Sequence, residues 1–287
     1  MTNSKVLVSG SDGRIGQATV AELRNHGYDI TPADIERRAA WNTQLVDLTD
    51  LGQVIGVMQG HDAVVHLAAI PSPEAHTNEV VFSNNVVSTF NVLEAATILG
   101  VKTIVMASSI SALGYAYRHS YFQPNYVPID EAHPLLAQDS YGLSKMIGEA
   151  LAEGFLRRSP DMALISLRFT LVVDERERVW MRPARENPPD DGATFGAFWT
   201  FVDVRDAASA CRLALENARP GHEAFFINAP HIYRSENIRD LLADHFPGDY
   251  PIAPHIRGAA SPVDPGKAER LLGWAARYDW NGELLER

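Results

Sequence analysis

Short apolar runs alternate with stretches of helical apolar periodicity along most of the chain. Runs of this kind predict buried strands, and the helices between them predict parallel crossovers. Strands are predicted at 6–9, 28–34, 43–46, 63–67, 103–107, 163–168, 202–204 and 223–228, and helices at 15–25, 51–59, 79–99, 140–158, 206–217 and 235–245. The pattern predicts an α/β fold, with a doubly wound, mainly parallel sheet.

Composition narrows the class of protein. A chain of 287 residues that is 46% hydrophobic can bury one large core and a small additional lobe. It has 36 acidic and 25 basic residues and no basic block, which argues against nucleic acid or an anionic membrane as partner. No apolar run reaches the roughly 18 residues of a membrane span, and no charged-then-apolar leader opens the sequence. We therefore expect neither a membrane segment nor export.

The single cysteine and the histidines add little chemistry. Cys211 lies in an apolar helical pattern and has no second cysteine to pair with, so we interpret it as a small core residue in a reducing cytoplasm. The ten histidines show no metal-ligand spacing, so no metal is expected. His66, within a buried strand, is interpreted as a hydrogen-bonded core residue.

Three glycines break the pattern between the first strand and the first helix. Gly10 predicts the tight turn, Gly13 a close approach of backbone to a phosphate, and Gly16 close packing of helix and sheet. The helix N-terminus that follows is an anion site. The spacing is G-x-x-G-x-x-G, and its place directly after the first strand favours a Rossmann-type dinucleotide site over an ordinary glycine-rich turn.

An acidic residue follows at the end of the second predicted strand. Asp34 is placed to accept hydrogen bonds from the adenosine ribose, whose 2′-hydroxyl distinguishes NAD from NADP. Arg37 and Arg38 follow closely and are candidates to contact a 2′-phosphate instead. The sequence favours NAD, with NADP as the alternative.

Polar residues mark two further sites at predicted strand ends and helices. Asn85 is polar inside an apolar helix, so it must bond backbone or hold a water. Ser108 and Ser109 end the strand at 103–107, where a hydroxyl points into the ligand crevice or caps a turn. The long irregular stretch after them, rich in tyrosine and proline, is typical of a substrate-contacting loop.

Tyr141 and Lys145 lie one turn apart on the same face of a predicted helix. An ammonium beside a phenol favours the phenolate and lowers the pKa of the tyrosine from about 10, which makes it a general base or acid. The ordinary alternative is a surface pair without chemistry, since this spacing is common on helices.

Taken together, the motifs resemble those of the extended short-chain dehydrogenase/reductases, also described as NAD-dependent epimerase/dehydratases. They occur in order along most of the chain: G-S-D-G-R-I-G from 10, Asp34, D-L at 47, H-L-A-A at 66, N-V-V-S-T-F-N-V-L-E-A-A from 85, S-S-I-S-A-L-G from 108, Y-G-L-S-K from 141, F-V-D-V-R-D-A-A from 201 and K-A-E-R-L-L-G-W from 267.

The resemblance implies specific roles. Ser109, Tyr141 and Lys145 would form the catalytic triad, with Asn85 as a water-holding fourth member. Ser109 is chosen over Ser108 because it stands five residues before Gly114, as in the family. The implied NAD site comprises Gly10, Asp12, Gly13, Arg14, Ile15, Gly16, Asp34, Asp47, Leu48, Leu67, Ala68, Ala69, Asn85, Tyr141 and Lys145. The implied substrate contacts are Ser109, Ile110, Ser111 and Thr170.

One stretch departs from the family pattern. Where relatives commonly read R-P-x-N-x-Y-G, this chain reads R-F-T-L-V-V-D from 168 to 174, which puts the family's substrate contacts in doubt here. The next segment carries four arginines that either hold a carboxylate or phosphate or are solvated surface charges. These are Arg176, Arg178, Arg182 and Arg185.

The expected organisation is a dinucleotide-binding domain and a small C-terminal substrate lobe. Residues 1–170, joined by 201–228, form the first, and residues 171–200 and 229–287 form the second. Family resemblance and the stripe of Val86, Phe90 and Leu93 predict a homodimer through a four-helix bundle.

The predicted function is hydride transfer between NAD and a hydroxyl or keto carbon of a small carbohydrate-like substrate. The short lobe and the departure at 168–174 favour a dehydrogenase over a nucleotide-sugar epimerase or dehydratase, which recycles its NAD. An NAD(P)-binding redox sensor is the third hypothesis, and the intact Ser, Tyr and Lys argue against it.

Overall fold

The computed structural model describes residues 4–38, 41–186 and 196–285. Its main sheet has seven strands in the order β3-β2-β1-β4-β5-β6-β9, and every neighbouring pair is parallel. The seven strands of this sheet are β1 Lys5–Ser9, β2 Asp29–Asp34, β3 Gln44–Leu45, β4 Ala63–His66, β5 Thr103–Ser109, β6 Ala163–Phe169 and β9 Gly221–Ile227. Two further strands, β7 Leu171–Val173 and β8 Phe201–Asp203, pair with each other outside it. The predicted doubly wound parallel sheet is confirmed.

Helices cover both faces of this sheet. They are α1 Arg14–Asn25, α2 Leu51–Met58, α3 Asn78–Leu99, α4 Ser140–Leu156, α5 Glu175–Glu186, α6 Val204–Glu216, α7 Ile238–His245 and α8 Gly266–Leu272. A short 3₁₀ turn, Ile110–Leu113, follows β5. No helix in the described ranges is both long and apolar enough to cross a lipid bilayer.

Successive side chains of β1 pack on opposite faces of the main sheet, which shows why helices cover both faces. Val6 and Val8 pack into one apolar cluster with α1 and α6, whereas Leu7 packs into another with α2 and α3. Successive side chains of a strand point to opposite faces, so an unbroken apolar run buries both. Cys211 is fully buried in the first cluster, as expected of a small core residue.

A third apolar cluster joins the C-terminal residues to the segment after β5. It is rich in aromatic rings, including Tyr115, Phe198 and Phe246, whose centroids lie 4.6 to 5.7 Å apart. The two-stranded parallel sheet of β7 and β8 adjoins it. This cluster contacts the main domain through Ile110 and Phe226.

Two details of the helices differ from expectation. Leu93, one of the three residues of the apolar stripe predicted to form the dimer interface, is fully buried against the sheet, whereas Phe90 is 42% exposed. The exposed large apolar residues of α3 are Val80, Phe82, Val87, Phe90 and Ile98. The helix at 175–186 was not predicted, because its many charged residues make its short amphipathic pattern difficult to recognise from the sequence.

Candidate active site

A continuous cleft opens at the carboxyl ends of the parallel strands. In the sheet, β1 lies between β2 and β4, so the strand order reverses there, and ligands of such folds bind at this point. The half of the cleft toward β2 has a volume of about 520 Å³. It is lined by Gly10, Asp12, Gly13, Asp34, Asp47, Leu48, Leu67, Ala68 and Ala69, all of them predicted cofactor residues.

The glycine loop takes the form that its sequence predicted. Gly10 has φ +72°, a left-handed turn that favours glycine. A Cβ on Gly16 would collide with the carbonyl oxygen of Gly10, so helix α1 can lie this close to the turn only with glycine there. Gly13 lines the cleft, and the nearest atom to a Cβ built on it would be the Gly10 carbonyl oxygen, at 3.3 Å. The space beside Gly13 is therefore open to a phosphate.

Two carboxylates fix the loops around this half. Asp34 accepts hydrogen bonds from the backbone N–H of Asp12 at 2.9 Å and of Ile35 at 2.8 Å, and it faces the cleft. Buried Asp12 accepts from the hydroxyls of Ser11 and Thr43, at 2.9 and 2.8 Å. Asp34 is thereby held where ribose hydroxyls are expected to bind.

The two arginines after Asp34 have partners of their own. Arg37 donates to the carbonyl of Thr43 at 2.9 Å, and Arg38 pairs with Glu36. The hydrogen bond and charge of Glu36 raise the pKa of Arg38. This arrangement favours the 2′-hydroxyl of NAD over the 2′-phosphate of NADP.

The N-terminal end of α4 positions the catalytic candidates. Asp139 caps the helix by accepting from the backbone N–H of Tyr141 at 3.0 Å and of Gly142 at 2.9 Å. One turn on, Lys145 donates to the carbonyl oxygen of Ala107 in β5 at 2.8 Å, and its Nζ lies 5.6 Å from the ring centroid of Tyr141. Helix α4 and strand β5 thus place Tyr141, Lys145 and Ser109 on one wall of the cleft, which we call the catalytic wall.

Burial shifts the pKa values of Tyr141 and Lys145 in opposite directions. It raises the pKa of Tyr141 to about 12, and a hydrogen bond with Ser109 opposes the rise. It lowers the pKa of Lys145 to about 8. The expectation that Lys145 lowers the pKa of Tyr141 is wrong for the free site, because the ammonium is directed to Ala107 and the buried wall disfavours the phenolate.

The two serines at the end of β5 separate into different environments. Ser109 lines the cleft, bonds Tyr141 and caps the 3₁₀ turn by accepting from the N–H of Ser111 at 3.1 Å. Ser108 also lines the cleft, but its hydroxyl donates to buried Glu149 at 2.6 Å. The Ser109 hydroxyl is the one that contacts Tyr141, and its catalytic role stays a prediction.

Asn85 lies behind the wall, outside the cleft. Its Oδ1 accepts from the N–H of Ile70 at 2.8 Å and from Asn84, and its Nδ2 donates to the carbonyl of Ile70 and to Ser144. The amide therefore joins the loop after β4 to α4. It also lines a small cavity that Lys145 borders from the other side.

The second half of the cleft, about 490 Å³, extends from Tyr141 toward β7. The predicted residues Arg14, Ile15, Ser109, Ile110, Ser111, Thr170, Tyr141 and Lys145 line it. Sequence reasoning did not single out Phe169, Leu171 and Val172, although their place at and just after the end of β6 was a usable signal. Ala116 and Tyr117 lie in the irregular stretch that was interpreted as a substrate-contacting loop, and Ala197 has no local signal.

The arginines of the variable segment do not form one anion site among the described side chains. Arg14 donates to the carbonyl of Val172 at 2.7 Å and pairs with Glu177. Arg178 pairs with buried Asp203 and donates to the carbonyl of Trp280, and Arg176 is exposed. The side chains of Arg182 and Arg185 lie outside the described residues.

The residues present fit NAD. The open space beside Gly13 suits the pyrophosphate, Asp34 the adenosine ribose, and the wall of Tyr141 and Lys145 the nicotinamide half. When bound, NAD supplies a hydride acceptor.

The glycine geometry predicts different outcomes for two alanine substitutions. Gly13→Ala should lower the melting temperature much less than Gly16→Ala, because its Cβ would lie 3.3 Å from the Gly10 carbonyl oxygen, but it should weaken NAD binding by about tenfold or more, because the Cβ would occupy phosphate space. Gly16→Ala should lower the melting temperature clearly, since its Cβ meets backbone. Thermal unfolding and NAD titration of both variants test this. Unchanged NAD affinity in Gly13→Ala would contradict the phosphate assignment.

The position of Asp34 predicts tighter binding of NAD(H) than of NADP(H), because the carboxylate repels a 2′-phosphate and bonds a 2′-hydroxyl. In Asp34→Asn the preference should shrink by about tenfold, roughly 1.4 kcal/mol. Titration of both cofactors against both proteins measures it. Tighter binding of NADP(H) by the wild type would mean that Arg37 or Arg38 governs the pocket.

Comparison with known proteins agrees with the geometry of the site. Residues 6–228 match the model of the NAD dependent epimerase/dehydratase family. An L-arabinose 1-dehydrogenase (NAD(P)(+)) from Haloferax volcanii is 30% identical over 61% of this chain and 71% of its own. A UDP-glucose 4-epimerase from Corynebacterium glutamicum is 24% identical over 96% of this chain and 91% of its own.

Solved structures share the fold. A short-chain dehydrogenase/reductase superfamily protein from Agrobacterium tumefaciens with bound NAD has a TM-score of 0.73 and 25% identity, covering 96% of this chain and 94% of its own. A UDP-glucose 4-epimerase from Bifidobacterium longum, at 20% identity, also has a TM-score of 0.73, with 97% of this chain and 95% of its own covered.

These matches confirm the predicted cofactor and enzyme class. The family model spans more than three quarters of the chain and includes the glycine loop, Asp34, Ser109, Tyr141 and Lys145. The chain belongs to the NAD-dependent epimerase/dehydratase family and is an NAD-dependent oxidoreductase of the extended short-chain dehydrogenase/reductase type.

Proposed function

We propose that this enzyme is a net dehydrogenase that oxidises a hydroxyl carbon of a small, uncharged, carbohydrate-like substrate and releases NADH. Tyr141 takes the proton of the substrate hydroxyl, and Ser109 hydrogen-bonds the substrate oxygen. Lys145 holds the nicotinamide ribose and the phenolate of Tyr141. Asn85 supports the wall from behind by joining the loop after β4 to α4.

The observation that carries this proposal is the chemistry of the substrate half. Among its described lining residues, Arg14 and Lys145 are the charged ones. Both are engaged, Arg14 with Glu177 and Val172 and Lys145 with Ala107. A nucleoside diphosphate needs cationic partners for its phosphates. The remaining lining is apolar or carries hydroxyl groups, which suits a neutral sugar.

Length does not separate the hypotheses. The chain covers 91% of the Corynebacterium glutamicum epimerase, so the expectation that it is short for a nucleotide-sugar enzyme carries little weight. A sugar dehydrogenase and a nucleotide-sugar epimerase both stand among its relatives. The preference for a dehydrogenase therefore depends on the charges in the cleft.

Two alternatives remain as competing functions. An epimerase or dehydratase with recycled NAD fits the same catalytic wall and the epimerase relatives. A redox sensor fits less well, because a sensor does not need Ser109, Tyr141 and Lys145 assembled at one wall.

We further propose that the described residues within 171–200 and 229–287 form the substrate-binding lobe, and those within 1–170 and 201–228 the dinucleotide domain; residues 1–3, 39–40, 187–195 and 286–287 of these ranges lie outside the described residues. Leu171, Val172 and Ala197 line the substrate half, which supports this division. A cytoplasmic location is also proposed, since the buried thiol of Cys211 suits a reducing compartment.

The proposed activity predicts NADH accumulation in step with product. A panel of free sugars, uronates and nucleotide sugars with NAD, followed at the NADH absorbance under alkaline conditions, should show turnover of neutral sugars. Alkaline pH should help, because burial keeps Tyr141 protonated in the free site. In Tyr141→Phe turnover should fall by about 10²-fold or more with NAD affinity nearly unchanged.

Two results of this panel would contradict the proposal. Isomerised or dehydrated product without net NADH would replace the dehydrogenase with the epimerase or dehydratase alternative. Full activity of Tyr141→Phe would remove the assigned proton acceptor from either mechanism.

We also propose a homodimer in which α3 and α4 of two copies form a four-helix bundle. Phe82, Val87 and Phe90 leave an apolar strip on the outside of α3, each 38 to 42% exposed. An isologous interface of that kind is largely apolar at its centre.

The dimer predicts a light-scattering mass near twice 31.6 kDa at micromolar concentration. Phe90→Lys should shift it toward the monomer, because a charge would be buried at the centre of the interface. Leu271→Lys is a matched control, since Leu271 is a similarly exposed leucine, at 51%, on α8, outside the two proposed interface helices. A monomeric wild type would count against the bundle.

A further inference from the structure

The segment after the 3₁₀ turn carries a tyrosine in an unusual backbone conformation. Tyr117 has φ +54°, in the left-handed region that bulky residues rarely adopt. Among the described residues, the other non-glycine residues with a positive φ are Phe198 and Trp199. Those two are buried in the third apolar cluster, whereas Tyr117 is half-buried and lines the substrate half of the cleft. A strained residue at this place points to a role in ligand binding.

The residue two positions earlier anchors this segment. Tyr115 is fully buried in the third apolar cluster, with its ring centroid 4.5 Å from that of Phe122 and 4.9 Å from that of Phe198. Its hydroxyl lies 3.4 Å from Nε2 of His133. A rotation of the backbone at Tyr117 would have to move these packed rings, so the left-handed conformation is retained.

A second segment packs against this one from the chain before β8. A Cβ built on Gly196 would collide with the backbone of Ala116, so glycine is needed for this close approach. Ala197 follows, and its carbonyl oxygen accepts from the hydroxyl and the N–H of Thr200, at 2.6 and 3.1 Å. Ala116, Tyr117 and Ala197 all line the substrate half, and we call these three residues the Tyr117 surface. It combines one aromatic ring with two small side chains.

The Tyr117 surface lies within electrostatic reach of the catalytic wall. Burial is the main cause of the raised pKa of Tyr141, and the phenol of Tyr117 adds to it, which requires the two groups to be close. Ser109, Ser111 and Thr170 bring further hydroxyl groups to the same half of the cleft. A ligand bound at Tyr141 is therefore near one aromatic ring and a set of hydroxyl groups.

This combination of groups matches the two kinds of surface on a ring-form sugar. The edge of such a sugar carries hydroxyl groups, which bond to serine, threonine and tyrosine hydroxyls. Its faces carry C–H groups and are apolar, and an aromatic side chain buries such a face over a large contact area. An acyclic polyol carries the same hydroxyl groups but has no fixed apolar face.

We propose that Tyr117 determines substrate specificity by selecting neutral sugars in the ring form. Its phenol ring lies against the C–H face of the sugar, and the reacting hydroxyl lies at Ser109 and Tyr141. The strain at Tyr117 is retained because it places the ring in the cleft, and Ala116 and Ala197 leave space beside it. The choice of sugar rests on the proposed dehydrogenase function, but sugar binding can be measured separately from turnover.

Two variants of Tyr117 and one control separate binding from stability. Tyr117→Gly removes the ring and relieves the left-handed strain, so the melting temperature should change little. Tyr117→Phe keeps the ring and removes the hydroxyl. Tyr121→Gly is the matched control, because Tyr121 lies in the same segment, is 50% exposed and is not among the described residues that line the cleft.

The test is calorimetric titration of sugar into the full-length chain with saturating NAD, in a Tyr141→Phe background that binds substrate without turnover. The probes are the best neutral ring sugar of the panel and the acyclic polyol sorbitol. Compared with the parent, the ring sugar should bind about tenfold more weakly in Tyr117→Gly, within about threefold in Tyr117→Phe and equally well in Tyr121→Gly. The affinities for sorbitol and NAD should not change in any variant.

Each other outcome overturns a specific statement. Unchanged sugar affinity in Tyr117→Gly overturns the proposal and leaves the dehydrogenase intact. Equal weakening of ring sugar and sorbitol, or a parallel loss of NAD affinity or melting temperature, assigns Tyr117 a structural role and also overturns it. A tenfold loss in Tyr117→Phe assigns recognition to the hydroxyl and overturns the contact with the ring.

Failure of the proposed function gives a different result. Isomerised or dehydrated product without NADH in the wild type overturns the dehydrogenase. The same titrations with D-glucose then still test Tyr117 by binding alone, and no detectable binding of D-glucose by the parent overturns the sugar contact as well.

Discussion

The buried ion pair between Glu149 and Arg168 fixes the catalytic wall. Arg168 of β6 makes two hydrogen bonds to Glu149 of α4, and both side chains are less than a tenth exposed. Ser108 adds a third bond from β5. Removing one partner of such a pair costs about 3–5 kcal/mol, because the other charge is left buried and unpaired. The helix that carries Tyr141 and Lys145 is therefore locked to two strands at its centre and capped by Asp139 at its start.

The same burial that locks the wall sets its acid–base state. A dry environment disfavours any isolated charge, so it raises the pKa of Tyr141 and lowers that of Lys145. The catalytic wall thus combines a phenol with a pKa of about 12 and a lysine with a pKa of about 8. At neutral pH the phenol of Tyr141 is therefore protonated, whereas burial makes Lys145 easier to deprotonate than an exposed lysine.

The two halves of the cleft have different chemistry, and each follows from its neighbours. The cofactor half is built from backbone and carboxylates, with Gly13 leaving space and Asp34 fixed by backbone N–H groups. The substrate half is built from β5, the segment after β6 and Ala197, and its cations are engaged by protein partners. One family fold can therefore keep the same cofactor and change its substrate.

The sequence by itself determined the parallel sheet, the glycine loop, the position of Asp34 and the spacing of Tyr141 and Lys145, because each depends on a local pattern: alternation along a strand, a turn, or one helical repeat. The choice of Ser109 over Ser108 came only from the family resemblance. Only the tertiary structure decided where side chains from distant segments meet. It turned Leu93 inward, gave the Asn85 side chain four hydrogen bonds, paired Arg178 with Asp203 and raised the pKa of Tyr141. These outcomes depend on packing between residues far apart in the chain, and no local pattern encodes the desolvation or the partners that such packing imposes.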